Sequence, residues 1–222
     1  MNDPHPPDLA VVAALRRSGI VPVVSLPSVD VAVPLADALA AGGLQIIEIT
    51  FRTAAAAEAI RRLRAERPNL LVGAGTILSS ENLQAAVDSG VQFALAPGLN
   101  PEMVKRAQDC GLPFLPGVAT ASDVDLALRL GCRLLKFFPA AQMGGVSTIR
   151  ALAAPYRHLG VEFVPTGGVS PDNLADYLSE PSVAGVGGSW LAKSDDLASG
   201  NFAVIEKRCA EAVQIARNLR GS

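Results

Sequence analysis

"FALAPGLNPEMVKRAQDCGLPFLPG", Phe93 to Gly117, holds one complete strand–helix–strand unit, and its grammar decides the fold. Phe93–Pro97 is a short apolar run stopped by Pro-Gly. Asn100 then supplies a helix cap, Pro101 takes the first helical position, Glu102 faces the helix dipole and Gly111 ends the turn. A second apolar run, Pro113–Val118, opens the next unit. Neither run alternates with polar residues, which is the pattern of strands covered on both faces of a parallel sheet. The same rhythm recurs through the chain, with apolar runs at Ile20–Leu26, Ile46–Phe51, Leu70–Gly75, Phe93–Pro97, Pro113–Val118, Leu134–Pro139, Glu162–Pro165 and Val183–Val186. "SPDNLADYL" repeats the helix-start signals at Ser170, Pro171 and Asp172, and Ala54–Ala57 reads as a helix start rather than a low-complexity tract. Eight strand-then-helix units close naturally into an α/β architecture, the (β/α)8 TIM barrel. An open doubly wound sheet is the rival, but no GxGxxG follows the first run. Residues 1–19 read as an extra amphipathic N-terminal helix capping the barrel, and the expectation is a single domain over residues 1–222.

Composition excludes several function classes. The chain has 222 residues, 50% hydrophobic and 18% charged, with a formal net charge of −2. That charge offers no basic field to a nucleic acid. The three cysteines, Cys110, Cys132 and Cys209, are scattered and lack CxxC spacing, so neither a disulfide framework nor a zinc site is indicated and a reducing cytoplasm fits. The N-terminus has an acidic residue and prolines ahead of its short apolar run, the reverse of a secretory signal, and no apolar run is long enough for a membrane span. Two histidines, His5 and His158, make no plausible metal pair and no Ser-His-Asp triad, and strand-end Asp and Glu are too few to make a carboxylate-only site attractive, so no metal is expected; no cofactor is expected either.

In a barrel, chemistry gathers where the strands end. The second run carries Glu48, Thr50 and Arg52 at period-two spacing, on one side of an extended chain. The sixth carries Lys136, one of only four lysines in the chain, inside "RLLKFFPAAQMGG". A buried Lys and a buried Glu of opposite sign read first as a structural ion pair, because either charge alone is costly to bury. A lysine stem snorkelling to the strand end is another reading. A sharper one uses magnitudes. An ordinary lysine pKa is about 10.4, so a neutral amine at pH 7 costs about 4.6 kcal/mol. Desolvation by Leu134, Leu135, Phe137 and Phe138 would offset much of that and free the amine to attack a ketone. Glu48 would then shuttle protons. As partner to a charged lysine, the same carboxylate would raise the pKa instead, so the two readings oppose one another.

Arg52 and Thr76, at the ends of the second and third runs, offer a planar fork and a hydroxyl suited to a substrate carboxylate. Equally, Arg52 reads as a solvated loop residue and Thr76 as a helix cap. Gly167 and Gly168 in "PTGGVSPDN", with Gly188 and Ser189 in "GVGGSW", sit where barrels often bind phosphate through bare backbone N–H groups. Simple turn chemistry is the competing account. Trp190 and Met143 read as packing.

"GGLQIIEITFRT", "VGAGTIL", "FALAPGLNP", "PFLPGVATASD", "LLKFFPA", "FVPTGGVSPDN" and "VGGSWL" together resemble the 2-keto-3-deoxy-6-phosphogluconate and 2-keto-4-hydroxyglutarate aldolases, in order from about Val21 to Leu191. The resemblance implies a class I, Schiff-base lyase of the Entner–Doudoroff pathway, a cytoplasmic homotrimer that works on small phosphorylated keto acids and pyruvate. It implies Lys136 as the Schiff-base residue and Glu48 as the proton carrier. Arg52 and Thr76 would hold the pyruvate carboxylate, and Pro97, Phe138 and Thr166 would line the pocket. Gly167, Gly168, Gly188 and Ser189 would take the phosphate. A related aldolase of the other C4 configuration, of phosphogalactonate type, and a phosphate-binding isomerase or epimerase on the same barrel are the alternatives, with a non-catalytic barrel as a third. Many relatives read "FPAE" after the lysine strand, whereas Ala141 stands here in place of that carboxylate, an expected influence on the loop or on substrate preference.

Overall fold

The computed structural model describes residues 6–220, with side chains from Val11 onward. His5 and the start of the expected 1–19 helix lie outside that range; the helix itself, α1, runs Pro6–Ser18. The strands are β1 (Ile20–Val24), β2 (Ile46–Thr50), β3 (Leu71–Gly75), β4 (Phe93–Leu95), β5 (Phe114–Leu115), β6 (Gly117–Val118), β7 (Leu134–Phe137), β8 (Glu162–Pro165) and β9 (Val186–Gly188). Between and after them come α2 (Ala32–Ala41), α3 (Ala56–Glu66), α4 (Ser80–Asp88), α5 (Pro101–Asp109), α6 (Ala121–Arg129), α7 (Gly145–Ala153), α8 (Pro171–Leu178), α9 (Ser194–Ala198) and α10 (Phe202–Arg220). Among the described residues no helix is long and apolar enough to cross a membrane.

All pairings are parallel, in the order β5-β4-β3-β2-β1-β9 and β6-β7-β8. The two sheets are arcs of one ring. At one seam β5 and β6 are halves of the single expected run, parted at Pro116, which has no N–H for the ladder. At the other seam, isolated bridges Phe163↔Val183 and Thr166↔Gly187 join β8 to β9. The barrel closes with eight staves, as the sequence rhythm implied. Several limits differ from expectation. β1 stops at Val24 and β7 at Phe137, and the last stave starts later than its apolar run, because Val183 makes one bridge and the ladder with β1 begins at Val186. The glycines of "GVGG" carry that ladder, and strand propensity conceals them.

Local chemistry explains the helix starts. Asn100 Oδ1 accepts from Glu102 N at 3.0 Å and Met103 N at 3.4 Å. Ser79 Oγ accepts from Asn82 N, and Thr120 with Asp123 forms a reciprocal capping box. Gly111, at φ +65°, follows α5 as read from the sequence.

Alternation along the strands sorts the core into two layers. Leu135, Phe137, Ile47 and Ile49 face outward and pack with helix residues such as Leu35, Leu39, Ile60 and Val104. Val21, Ile46, Phe93, Leu95, Leu115, Leu134, Val164 and Ala184 face inward, and Val11 and Leu15 of α1 join them at the N-terminal end of the barrel. Small residues let neighbouring staves close up: a Cβ on Gly117 would stand 2.1 Å from the Pro97 carbonyl oxygen. Gly117→Ala should therefore lower unfolding free energy by about 1–3 kcal/mol in urea titration. Gly98→Ala, where nothing lies within 4 Å, should change it by less than about 0.5 kcal/mol.

Candidate active site

Lys136 stands on β7 between its register partners Gly117 and Val164, and Glu48 on β2 between Val23 and Gly73. Their strands lie opposite one another across the ring. Both side chains enter the interior, and Lys136 Nζ donates to Glu48 Oε1 at 3.1 Å with the side chains 5% and 1% exposed. The charges meet as burial demands. Only part of the apolar run around the lysine surrounds its amine. Leu135 and Phe137 belong to the outer layer, so alternation aims them away from the amine. Leu134 and Val164 belong to the inner layer beside it, and the Phe138 ring centroid lies 5.8 Å from Nζ. The carboxylate reaches across Gly75, where a Cβ would fall 1.9 Å from Oε1. Gly75 is bare because Glu48 occupies its space.

Thr50, two residues above Glu48 on the same face, is buried, and its hydroxyl meets Ser25 Oγ at 2.6 Å and the Val24 carbonyl at 3.2 Å. Beyond β2 and β3 the chain segments run together, with Phe51 N donating to Gly75 O at 2.8 Å, and this sets Arg52 and Thr76 at one corner of the mouth. Arg52 is exposed and makes no hydrogen bond or ion pair with another described residue. Thr76 holds φ +60°, unusual for a β-branched residue and costing about 1–3 kcal/mol. Capping is not its task, since Ser79 caps α4.

Pro97 and Phe138 are half-buried at the mouth, and Thr166 is buried beside Gly187, where a Cβ would clash with its hydroxyl at 2.3 Å. Gly167 and Gly168 adopt φ +95° and +75°. Ala140 N and Ala141 N donate to the Thr166 and Gly167 carbonyls, and Asn173 Nδ2 donates to Gly168 O. The loop after β7 is thereby clamped onto the loop after β8, and the Ala141 methyl lies 2.4 Å from where a Gly168 Cβ would be. Gly188 is buried, with the Trp190 ring filling the place of its side chain, so packing accounts for both; Ser189 is exposed.

Two residues escaped the sequence reading. Ser25 gives no signal beyond one polar letter closing an apolar run, and only its register with β2 reveals the contact. Thr53 Oγ1 is buried without a hydrogen-bond partner, which no sequence pattern announces. A cavity of about 590 Å³ lies at the opposite, N-terminal end, lined by Val11, Ala14, Arg17, Gln45 and Leu71. It holds neither Lys136 nor Glu48, and strand-end chemistry in barrels collects at the other mouth. Among the described residues no group of three or more His, Cys, Asp or Glu is placed to hold a metal ion.

A closed parallel barrel with an amine and a carboxylate paired inside its carboxyl-end mouth defines a class, the (β/α)8-barrel enzymes. Comparison with known proteins narrows it. Residues 11–208 match the family model of KDPG and KHG aldolase. The 2-dehydro-3-deoxy-phosphogluconate aldolase of Treponema pallidum is 43% identical over 207 residues, covering 93% of this chain and 98% of that protein. The KHG/KDPG aldolase of Escherichia coli K12 is 42% identical over 203 residues, 91% and 94% of the two chains. Among solved structures, the KDPG aldolase of Legionella pneumophila, with pyruvate captured as a covalent carbinolamine intermediate, matches with a TM-score of 0.87 at 35% identity, covering 90% of this chain and 97% of that one. The chain belongs to the KDPG and KHG aldolase family.

The pair's interdependence is measurable. A double-mutant cycle in urea with Glu48→Gln and Lys136→Met should give a coupling energy of about 1–3 kcal/mol. Additive losses would mean that the two side chains do not depend on one another.

Proposed function

We propose that the protein is a class I aldolase that reversibly cleaves 2-keto-3-deoxy-6-phosphogluconate to pyruvate and glyceraldehyde 3-phosphate, and 2-keto-4-hydroxyglutarate to pyruvate and glyoxylate. The observation that carries this reading is the buried contact of 3.1 Å between Lys136 Nζ and Glu48 Oε1. Proton transfer from the ammonium to Glu48 presents a neutral amine, whose lone pair attacks the C2 carbonyl of the keto acid. The carbinolamine loses water as Glu48 returns a proton to the departing oxygen, leaving an iminium. That cation draws the C3–C4 bonding electrons toward nitrogen while the C4 hydroxyl proton leaves to a base. An aldehyde departs and an enamine remains on Lys136. Protonation at C3 and addition of water release pyruvate and regenerate the amine. A carboxylate touching the nitrogen serves each of these transfers without recourse to bulk water.

Arg52 and Thr76 take the substrate carboxylate in this reading. Arg52 has no protein acceptor among the described residues, and Thr76 beside it holds a strained backbone at φ +60°. Pro97, Phe138 and Thr166 line the pocket. The phosphate lies at the loops of Gly167, Gly168, Gly188 and Ser189, with Gly167 and Gly168 the stronger members because Gly188 is buried under Trp190. Family membership supports a homotrimer working in the cytoplasm, and sedimentation velocity tests the assembly.

Borohydride added with pyruvate should reduce a Schiff base and leave an adduct that peptide mapping assigns to Lys136. Lys136→Arg should remove both the adduct and retro-aldol cleavage. An isomerase or epimerase on this barrel would give no adduct and retain turnover in the variant. Glu48→Gln should lower kcat by about 10²–10⁴-fold.

A further inference from the structure

Resting on the aldolase reading, we infer that the Ser25 hydroxyl, held in place by Thr50, is a specificity-determining contact for the hydroxyl-bearing carbons of the aldehyde half of the substrate. Going around the barrel, β1 lies between β9 and β2. On one side of it, past β2, are Arg52 and Thr76; on the other are the loops of Thr166, Gly167, Gly168 and Ser189. A keto acid with its carboxylate at the first corner and its phosphate at the second spans the mouth of β1 with its middle carbons.

Parity places Ser25 toward that mouth. Val21 of β1 is in the inner layer, and Val23 and Ser25 follow at period two. Its contact with Thr50, on the same face of β2 as Glu48, fixes the direction independently. Height is set by a second chain of contacts. The Glu48 carboxylate lies across Gly75, Gly75 is the register partner of Thr50, and Thr50 meets Ser25. Ser25 thus sits at the level of the reacting groups, two staves from Gly75, and is half-buried rather than sealed.

The hydrogen-bond count suits a hydroxyl ligand. Thr50 has one hydrogen and two acceptors in reach, Val24 O at 3.2 Å and Ser25 Oγ at 2.6 Å. When Thr50 donates to Val24, Ser25 donates to Thr50 and shows lone pairs to the mouth. When Thr50 donates to Ser25, the serine hydrogen is free to face it. A partner that can either accept or donate matches an alcohol, which does both, and gives no preference to a carboxylate. Thr50 has no route to the mouth of its own because it is 1% exposed, so it is a positioning residue.

The test uses purified full-length protein in the condensation direction, with pyruvate and either glyceraldehyde 3-phosphate or glyoxylate, which carries no alcohol. Ser25→Ala should lower the ratio of kcat/KM for glyceraldehyde 3-phosphate over glyoxylate by about tenfold, through KM, while borohydride trapping of pyruvate on Lys136 persists. Thr50→Val should shift the ratio the same way, and Thr50→Ser should restore it. Equal losses with both aldehydes, or an unchanged ratio in Ser25→Ala, would overturn the inference while leaving the aldolase reading intact. A wild-type protein that traps no pyruvate would overturn that reading and this one together.

Discussion

Two charges removed from water set the terms for everything else in this barrel. Lys136 and Glu48 are separated by 88 positions in the chain and stand on staves diametrically opposed in the ring. No open sheet in this strand order would bring them to 3.1 Å. The pair therefore depends on closure, and closure depends on the two weakest seams of the barrel, the break at Pro116 and the isolated bridges between β8 and β9. The dependence runs the other way as well. A ring closed around one unpaired charge would bear a desolvation cost of several kcal/mol with nothing to offset it. Gly75 shows how tightly the interior is drawn around the pair, since the space of a methyl group there is already filled by carboxylate.

Stability and chemistry are divided between the two ends of the barrel. At the N-terminal end, Val11, Leu15, Val21, Ile46, Phe93 and Leu134 form an apolar layer, and polar groups there, Arg17 and Gln45 among them, line the cavity outside it. Toward the other mouth the inward positions become glycine, serine, threonine, lysine and glutamate. That end also tolerates a β-branched residue at positive φ and an exposed arginine without a protein partner among the described residues. Groups kept in such states are maintained only where surrounding structure over-determines them. Here the supports are the ladder contact from Phe51 to Gly75, the cap at Ser79 and the clamp of the Ala140 and Ala141 amides onto the loop after β8.

Much of this was legible in the sequence because it rests on local rules. Asn100, Ser170 and Gly111 mark helix ends through chemistry confined to a few neighbouring residues, and eight apolar runs mark eight staves. Lys136 and Glu48 could be paired on charge alone, since each is anomalous in an apolar strand. What remained hidden needed register. Leu135 and Phe137 flank Lys136 in sequence yet face the helices, a fact that only alternation about the barrel wall decides. The start of β9 was obscured because Val183 and Ala184 look more strand-like than the glycines that make the ladder. Ser25 and Thr50 lie on different staves, and nothing in either segment announces the other.

Ala141 shows how such register converts a sequence difference into a physical one. In the linear chain it is a small residue after "KFFPA", where the family resemblance leads one to expect a carboxylate. In the folded chain its methyl abuts Gly168, and its amide bonds the Gly167 carbonyl, so position 141 is a neighbour of the loop after β8. A negative charge there would face the substrate phosphate proposed for the loop of Gly167 and Gly168, and like charges at close range oppose one another in proportion to their burial. An alanine keeps the clamp between the two loops, since the hydrogen bond comes from the backbone, and removes the charge. The difference therefore falls on the electrostatics of the β8 side of the mouth, where the contacts of position 141 lie.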